Sequence, residues 1–249
     1  MSISTNQIIT KSTKPEDVDF QLGQVLLIDK PLDWTSFDVV NKLRFKIKHG
    51  LGVKKIKVGH AGTLDPLATG LLLICTGKLT KDIDSLQAMD KVYSGTIVLG
   101  ASTATYDSEV PPDHHYPTEH ITEEIMESAR KSFIGPINQI PPIYSAIKID
   151  GQKAYNLARR GTDVEMKSRA ITINHFDLNS NDFPILSFVV GCSKGTYIRS
   201  LAHDFGKACQ SGGHLGSLRR EKIGDFNVKD GFTMEEAINF IDLALKKVI

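Results

Sequence analysis

Apolar and polar positions along this chain fall into blocks of two periods. Residues 67–76 are almost wholly apolar, which suits a buried strand. Residues 24–29 and 91–99 read as two further strands. Ser36 can cap a helix in which Val39, Val40, Leu43 and Ile47 share one face while most basic residues point away. Residues 80–89 read as helical, and Thr122 opens an amphipathic helix with Glu123 and Glu124 in its favourable first turn. Strands follow near 170–178, 185–192 and 218–228, with a helix over about 197–209. Thr233 and Glu236 form a capping-box pattern for the closing helix. The first twenty residues are polar and aperiodic and read as a mobile tail; residues 101–118 read as a polar surface loop. Strands and helices interleave without a regular βα repeat. The fold class expected is therefore mixed α/β (α+β), with a largely antiparallel central sheet flanked by helices.

Composition narrows the function classes. The chain has 249 residues, 41% hydrophobic and 24% charged, an ordinary globular balance with room for a substantial core. Its longest apolar run is too short to span a bilayer. Cys75, Cys192 and Cys209 are odd in number and widely spaced, which argues against a disulfide framework or a metal site and for a cytoplasmic protein. Net charge is only +1, but it is segregated. Lys42, Arg44, Lys46, Lys48, Lys54, Lys55 and Lys57 share a stretch with no acid, whereas residues 106–127 hold seven acids and no Lys or Arg. That distribution suits one face for phosphates and another for solvent.

Chemistry concentrates in residues 59–70, Gly-His-Ala-Gly-Thr-Leu-Asp-Pro-Leu-Ala-Thr-Gly. The glycines permit tight turns and close approach, and Pro66 pushes Asp65 towards an extended conformation. An acid fixed at the mouth of a core strand suits a nucleophile or a base, although Asp-Pro also opens ordinary turns. Residues 137–169 look like an excursion from the main fold. Tyr144, Lys148, Lys153, Tyr155, Arg159 and Arg160 there suit an RNA-touching flap in which a short helix stops at Gly161. Gly77-Lys78-Leu79-Thr80 lacks the upstream glycine and the Ser/Thr after lysine that a phosphate loop needs. His114, His115 and His120 read as surface residues, not as metal ligands.

The 59–70 segment resembles the catalytic motif of the TruB family of tRNA pseudouridine synthases, Gly-His-x-Gly-x-Leu-Asp-Pro-x-Ala-x-Gly. Further blocks agree in order: Leu26 to Pro31 with Thr35-Ser36, Asp90 to Tyr93, Ile140 to Lys148, Cys192 to Arg199, and His214 to Arg220. Ala61 stands where relatives commonly carry threonine. The resemblance implies a pseudouridine-synthase fold over residues 21–249 with an RNA-binding thumb insertion at about 137–169. It also implies that the C-terminal PUA domain of many relatives is missing here.

The resemblance further implies that uridine 55 in the TΨC loop of tRNA is isomerised to pseudouridine without cofactor or metal. It makes Asp65 the catalytic carboxylate, with the covalent and elimination routes both open, and Arg199 its partner. Tyr93 stacks on the target base and accepts or relays a proton. His60 helps to flip the uridine, Tyr197 forms a second pocket wall and Leu218 an apolar floor. Lys30 and Lys81 match basic positions near the site, for phosphate or pocket contacts. The expected partner is the tRNA TΨC stem-loop, met by a monomer with no membrane and no obligate protein partner. The two rival readings are a guide-RNA-dependent synthase subunit and a tRNA-binding folding helper with secondary catalysis.

Overall fold

The computed structural model describes residues 3–145, 147–149, 151–160 and 165–246. The chain divides into two units, residues 1–92 with 219–249 and residues 93–218. In chain order the first unit supplies β1 (Ile8–Ile9), β2 (Val25–Lys30), α1 (Ser36–Gly50), β3 (Val58–His60), β4 (Ala68–Thr76) and α2 (Ile83–Ala88). β1 runs parallel to β2, while β2 and β3 each pair antiparallel with β4. Leu26, Ile28, Leu72 and Ile74 join one apolar cluster with Val39, Val40, Leu43 and Ile47 of α1. Val25, Leu27, Leu71 and Leu73 join a second cluster. Neighbouring strand residues point to opposite faces, so burying both faces requires an unbroken apolar run. This is why residues 68–76 show no alternation.

Three expectations for this unit change. The first twenty residues carry structure: Ile8 and Ile9 pair with Val25 and Leu26, and Ile9 and Phe20 are buried. Two apolar residues are too few to show a period, so tertiary pairing decides the outcome. The α1 cap is Thr35, whose hydroxyl accepts from the Asp38 N–H at 3.0 Å while Asp38 accepts from the Thr35 N–H at 2.9 Å. That leaves the Ser36 hydroxyl available elsewhere. The helix expected over 80–89 is divided, with residues 77–82 in a tighter 3₁₀ turn closed by Thr80 Oγ1 donating to the Gly77 carbonyl at 2.9 Å.

The chain continues through β5 (Lys91–Leu99), β6 (Ala101–Ser102), β7 (His114–His115), α3 (Glu123–Ser132), β8 (Gly135–Gln139), β9 (Lys148–Ile149), β10 (Gln152–Lys153), α4 (Ala154–Arg159), β11 (Arg169–Asp182), β12 (Ile185–Cys192), α5 (Ile198–Ala208) and β13 (Gly213–Ile223). In the second unit the strand order is β13-β5-β12-β11-β8, with β11 antiparallel to both β12 and β8. Phe176 packs edge-on against Phe188 and Phe205 with centroids 6.4 and 5.8 Å away, anchoring α5 to β11 and β12. β13 starts five residues before the expected strand. A Cβ on Gly206 would sit 2.3 Å from the Gly213 nitrogen, so the helix and strand touch backbone to backbone. β14 (Phe226–Asn227) and α6 (Met234–Leu245) complete the first unit.

The 101–118 stretch is more than a surface loop. β6 pairs with β7, and Ser102, Thr103, Thr105 and Asp107 are buried. The Thr103 and Thr105 hydroxyls donate to Asp107 and the Ser102 hydroxyl donates to Asp113, which permits the burial. Among the described residues of the excursion, β9 pairs with β10 and α4 follows at once. The Ala154 and Tyr155 N–H groups donate to the Ile147 and Ser145 carbonyls at 2.7 and 3.1 Å. The helix stop expected at Gly161 lies outside the described residues. No described helix is long and apolar enough to cross a membrane.

Candidate active site

Asp65 lies in the loop between β3 and β4, and main-chain atoms of that loop are held from three directions within the first unit. Ser36 Oγ accepts from the Leu64 N–H at 2.8 Å and donates to the Leu64 carbonyl at 3.1 Å. The Pro66 carbonyl accepts from the Asp33 N–H at 3.0 Å and from Lys30 Nζ at 3.3 Å. The Asp65 carbonyl accepts from the Ala68 N–H at 3.0 Å. Pro66 lacks an N–H, so one donor of the loop needs no partner. The half-buried carboxylate of Asp65 thus stands on a backbone fixed on both sides.

Lys30 is 0% exposed, and Nζ also donates to the Pro31 and Trp34 carbonyls at 2.8 and 2.6 Å. Its ammonium therefore organises the turn before α1 and the Asp65 loop, and does not project toward solvent phosphates. Burial pushes its pKa down to about 8, opposed first by the negative charge of Asp65. Lys81 is exposed, as a phosphate contact requires.

His60 pairs with Ile74 at the end of β3. Burial, and secondarily the charge of Arg220, holds its imidazole below the usual pKa, so the ring is neutral at pH 7. Arg220 is buried and donates through Nε to the Leu71 carbonyl at 2.7 Å and through Nη2 to the Gly62 carbonyl at 3.0 Å. Gly70 has φ of 101°, and a Cβ there would fall 2.3 Å from the Arg220 carbonyl oxygen. Only glycine lets β4 approach β13 this closely. Arg219 grips Asp29 in a two-pronged pair at 2.9 and 2.7 Å.

In the second unit, Arg199 is buried on α5. It donates to the Thr105 and Tyr144 carbonyls at 3.2 and 3.0 Å and pairs with Asp107 at 3.5 Å. Asp107 Oδ1 also accepts from the Thr105 hydroxyl and the Glu109 N–H. Sequence reasoning missed Asp107 because it lies in the stretch read as loop. Tyr197 caps α5 and is clamped by Gln139, whose amide accepts from the Tyr197 N–H at 2.8 Å and donates to its carbonyl at 3.0 Å. The Arg169 guanidinium lies 4.8 Å from the Tyr197 ring centre. Tyr93 is buried on β5, and Leu218 is half-buried on β13. Lys148 forms β9. Among the described residues, no group of three or more His, Cys, Asp or Glu is placed to hold a metal ion.

A family model described as TruB family pseudouridylate synthase (N terminal domain) matches residues 48–198. The chain belongs to the TruB family. It is 52% identical over 225 residues to the tRNA pseudouridine synthase B of Phocaeicola vulgatus, covering 90% of this chain and 96% of that protein. It is 57% identical over 209 residues to the protein of that name from Flavobacterium johnsoniae, covering 84% and 91%. Among solved structures it resembles a chain of a Cbf5-Nop10-Gar1 complex, with a TM-score of 0.66 and 26% identity. It also resembles one of an H/ACA RNP bound to a substrate RNA containing 2'-deoxyuridine, with a TM-score of 0.62 and 25% identity. These likenesses cover 94% of this chain but only 65% and 64% of the solved chains.

In this TruB-family chain several residues of the shared blocks serve as support. Ser36, Asp29, Arg219 and Arg220 lie inside the blocks recognised by resemblance, yet their bonds end on neighbouring groups of the scaffold. The signal for Ser36 was the Thr35-Ser36 pair itself. One hydroxyl caps the helix, and the second is left to hold the loop that carries Asp65.

Proposed function

We propose that this chain isomerises uridine 55 in the TΨC loop of tRNA to pseudouridine. The observation that carries the reading is the clamped Leu64-Asp65-Pro66 loop, in a chain about half identical to proteins named tRNA pseudouridine synthase B. The reaction breaks the bond from N1 to the ribose C1′ and forms one from C5 to C1′. C5 loses its hydrogen to solvent and N1 gains one, so no atom is added or lost overall. Asp65 is the group we assign to the glycosidic step. It acts either as a nucleophile at ribose or base or as a base toward a ribose proton, and both routes require an ionised carboxylate in a fixed position.

Neutral His60 suits insertion into the space the flipped base leaves, since that role needs shape and stacking but no charge. Tyr93 and Tyr197 offer aromatic faces for the base, with Leu218 as an apolar floor, and Arg199 keeps the role the family likeness gives it. Lys81 and Lys148 are assigned to phosphates, and Lys30 to positioning the Asp65 loop. Recognition rests on loop shape, splayed bases and phosphates. The relatives at about 50% identity favour a stand-alone cytoplasmic enzyme over a guide-dependent subunit.

Tritium release from unmodified tRNA labelled at uridine C5 tests this directly, with wild type and Asp65→Asn in parallel. Wild type should release about one tritium per tRNA, and Asp65→Asn should bind tRNA normally and release none. Binding without release by either protein would leave a tRNA-binding helper. Equal release by both would remove Asp65 from the chemistry.

A further inference from the structure

The basic helix α1 carries a feature that the catalytic reading does not use. Its core face presents Val39, Val40, Leu43 and Ile47. On the opposite face, Phe37, Asn41, Arg44, Phe45 and Lys48 recur at helical spacing. Phe37 and Phe45 are 58% and 63% exposed, unusually open for phenylalanine. Each ring has a polar neighbour beside it. The Arg44 guanidinium lies 5.9 Å from the Phe37 ring centre, and the His49 imidazole lies 3.9 Å from that of Phe45. His49 is held there by its Nδ1, 2.7 Å from the Phe45 carbonyl.

Charge selects the occupant. Residues 36–50 contain Lys42, Arg44, Lys46, Lys48 and a single acid, Asp38. Asp38 is engaged in the capping box with Thr35, and Lys46 pairs with Asp242 at 2.7 Å. Arg44, whose Nη2 donates to the neutral Asn41 Oδ1, therefore sets one cation between the two open rings, and Lys48 sets a second about one turn beyond Phe45. Aromatic faces interleaved with cations are the arrangement that binds single-stranded nucleic acid, because every base has a stackable face and every nucleotide a phosphate. An apolar protein partner would need neither cation.

We propose that this face of α1 is a second RNA-contact surface, where unpaired bases stack on Phe37 and Phe45 and phosphates meet Arg44 and Lys48. The inference rests on the tRNA reading above. Ser36, next to Phe37, is bonded to Leu64, so the stripe begins at the base of the Asp65 loop. At 1.5 Å per residue, it runs about 16 Å along the helix from Phe37 to Lys48.

The test measures tRNA affinity and single-turnover tritium release for the full chain. Phe37→Ala/Phe45→Ala should weaken tRNA binding roughly 5- to 100-fold per ring lost, leave the salt slope intact, and leave the rate at saturating tRNA unchanged. Arg44→Gln/Lys48→Gln should instead lower the salt slope by about 0.7 per lost phosphate contact. Phe45→Trp should retain wild-type affinity, and its fluorescence should be quenched by tRNA beyond the signal of Trp34. Wild-type affinity in the double alanine variant, or no added quenching in Phe45→Trp, overturns the proposal. So does a wild-type protein that self-associates through this face and loses that association, with no change in tRNA affinity, in the alanine variant. If wild type neither binds nor turns over tRNA, the functional reading fails first.

Discussion

Removing one hydroxyl far from the catalytic segment in sequence should disable it. Ser36→Ala deletes both bonds to Leu64, at 2.8 and 3.1 Å, in a site where both residues are buried. Each orphaned buried main-chain group costs about 1–3 kcal/mol. If the loop shifts enough for one of the two to reach water, the net loss of stability is about 2 kcal/mol. That shift is the informative part. Asp65 follows Leu64 directly, and a displacement on the order of 1 Å of a positioned reacting group costs about 100-fold in rate. Single-turnover tritium release should therefore fall by about 30- to 100-fold, while tRNA affinity stays within about twofold because no RNA-facing side chain is lost. Denaturant unfolding measures the first quantity and rapid-quench release the second. A variant that loses the stability but keeps the wild-type rate would refute the claim that Ser36 positions Asp65.

Three further outcomes follow from the same geometry. Asp107→Asn removes the charge paired with buried Arg199, and should cost about 3–5 kcal/mol in stability and slow turnover more than binding; unfolding and kinetics equal to wild type would remove Asp107 from the site. Gly70→Ala combines φ of 101° with a clash against Arg220, and should destabilise by more than about 3 kcal/mol or prevent soluble folding; a wild-type unfolding midpoint would contradict that close approach. Lys30 should make stability rise with pH between about 8 and its ordinary value of 10.5, because the unfolded chain keeps a proton that the folded chain has released. Lys30→Met should flatten that slope, and a slope unchanged by the substitution would show that the ammonium is not buried as described.

Most of the fold was legible because burial leaves periodic marks. The two-sided burial of β2 and β4 appears as unbroken apolar runs, and the closing helix announces itself by Thr233 and Glu236. What the sequence concealed is polar burial and backbone contact. Ser102, Thr103, Thr105 and Asp107 look like loop residues because their burial depends on hydrogen bonds among groups that composition cannot pair. The start of β13 was hidden because two glycines that permit close packing also resemble a flexible turn. For the candidate site, motif likeness pointed to Asp65, His60 and Arg199, while geometry separated Lys30 from Lys81. Two lysines expected alike at basic positions near the site differ here because one ammonium faces three carbonyls and the other residue is exposed.

The hydrogen bonds that clamp the Leu64-Asp65-Pro66 loop end on its main-chain atoms. Selection for loop shape is therefore displaced onto Lys30 and Ser36, some thirty residues earlier in the chain. The loop's neighbours Thr63 and Leu67 are exposed. A mutational scan confined to residues 59–70 would understate how much of this protein is constrained by its chemistry. A library that varies Thr63 and Leu67 while holding Lys30 and Ser36 could search new RNA preferences on an intact catalytic frame.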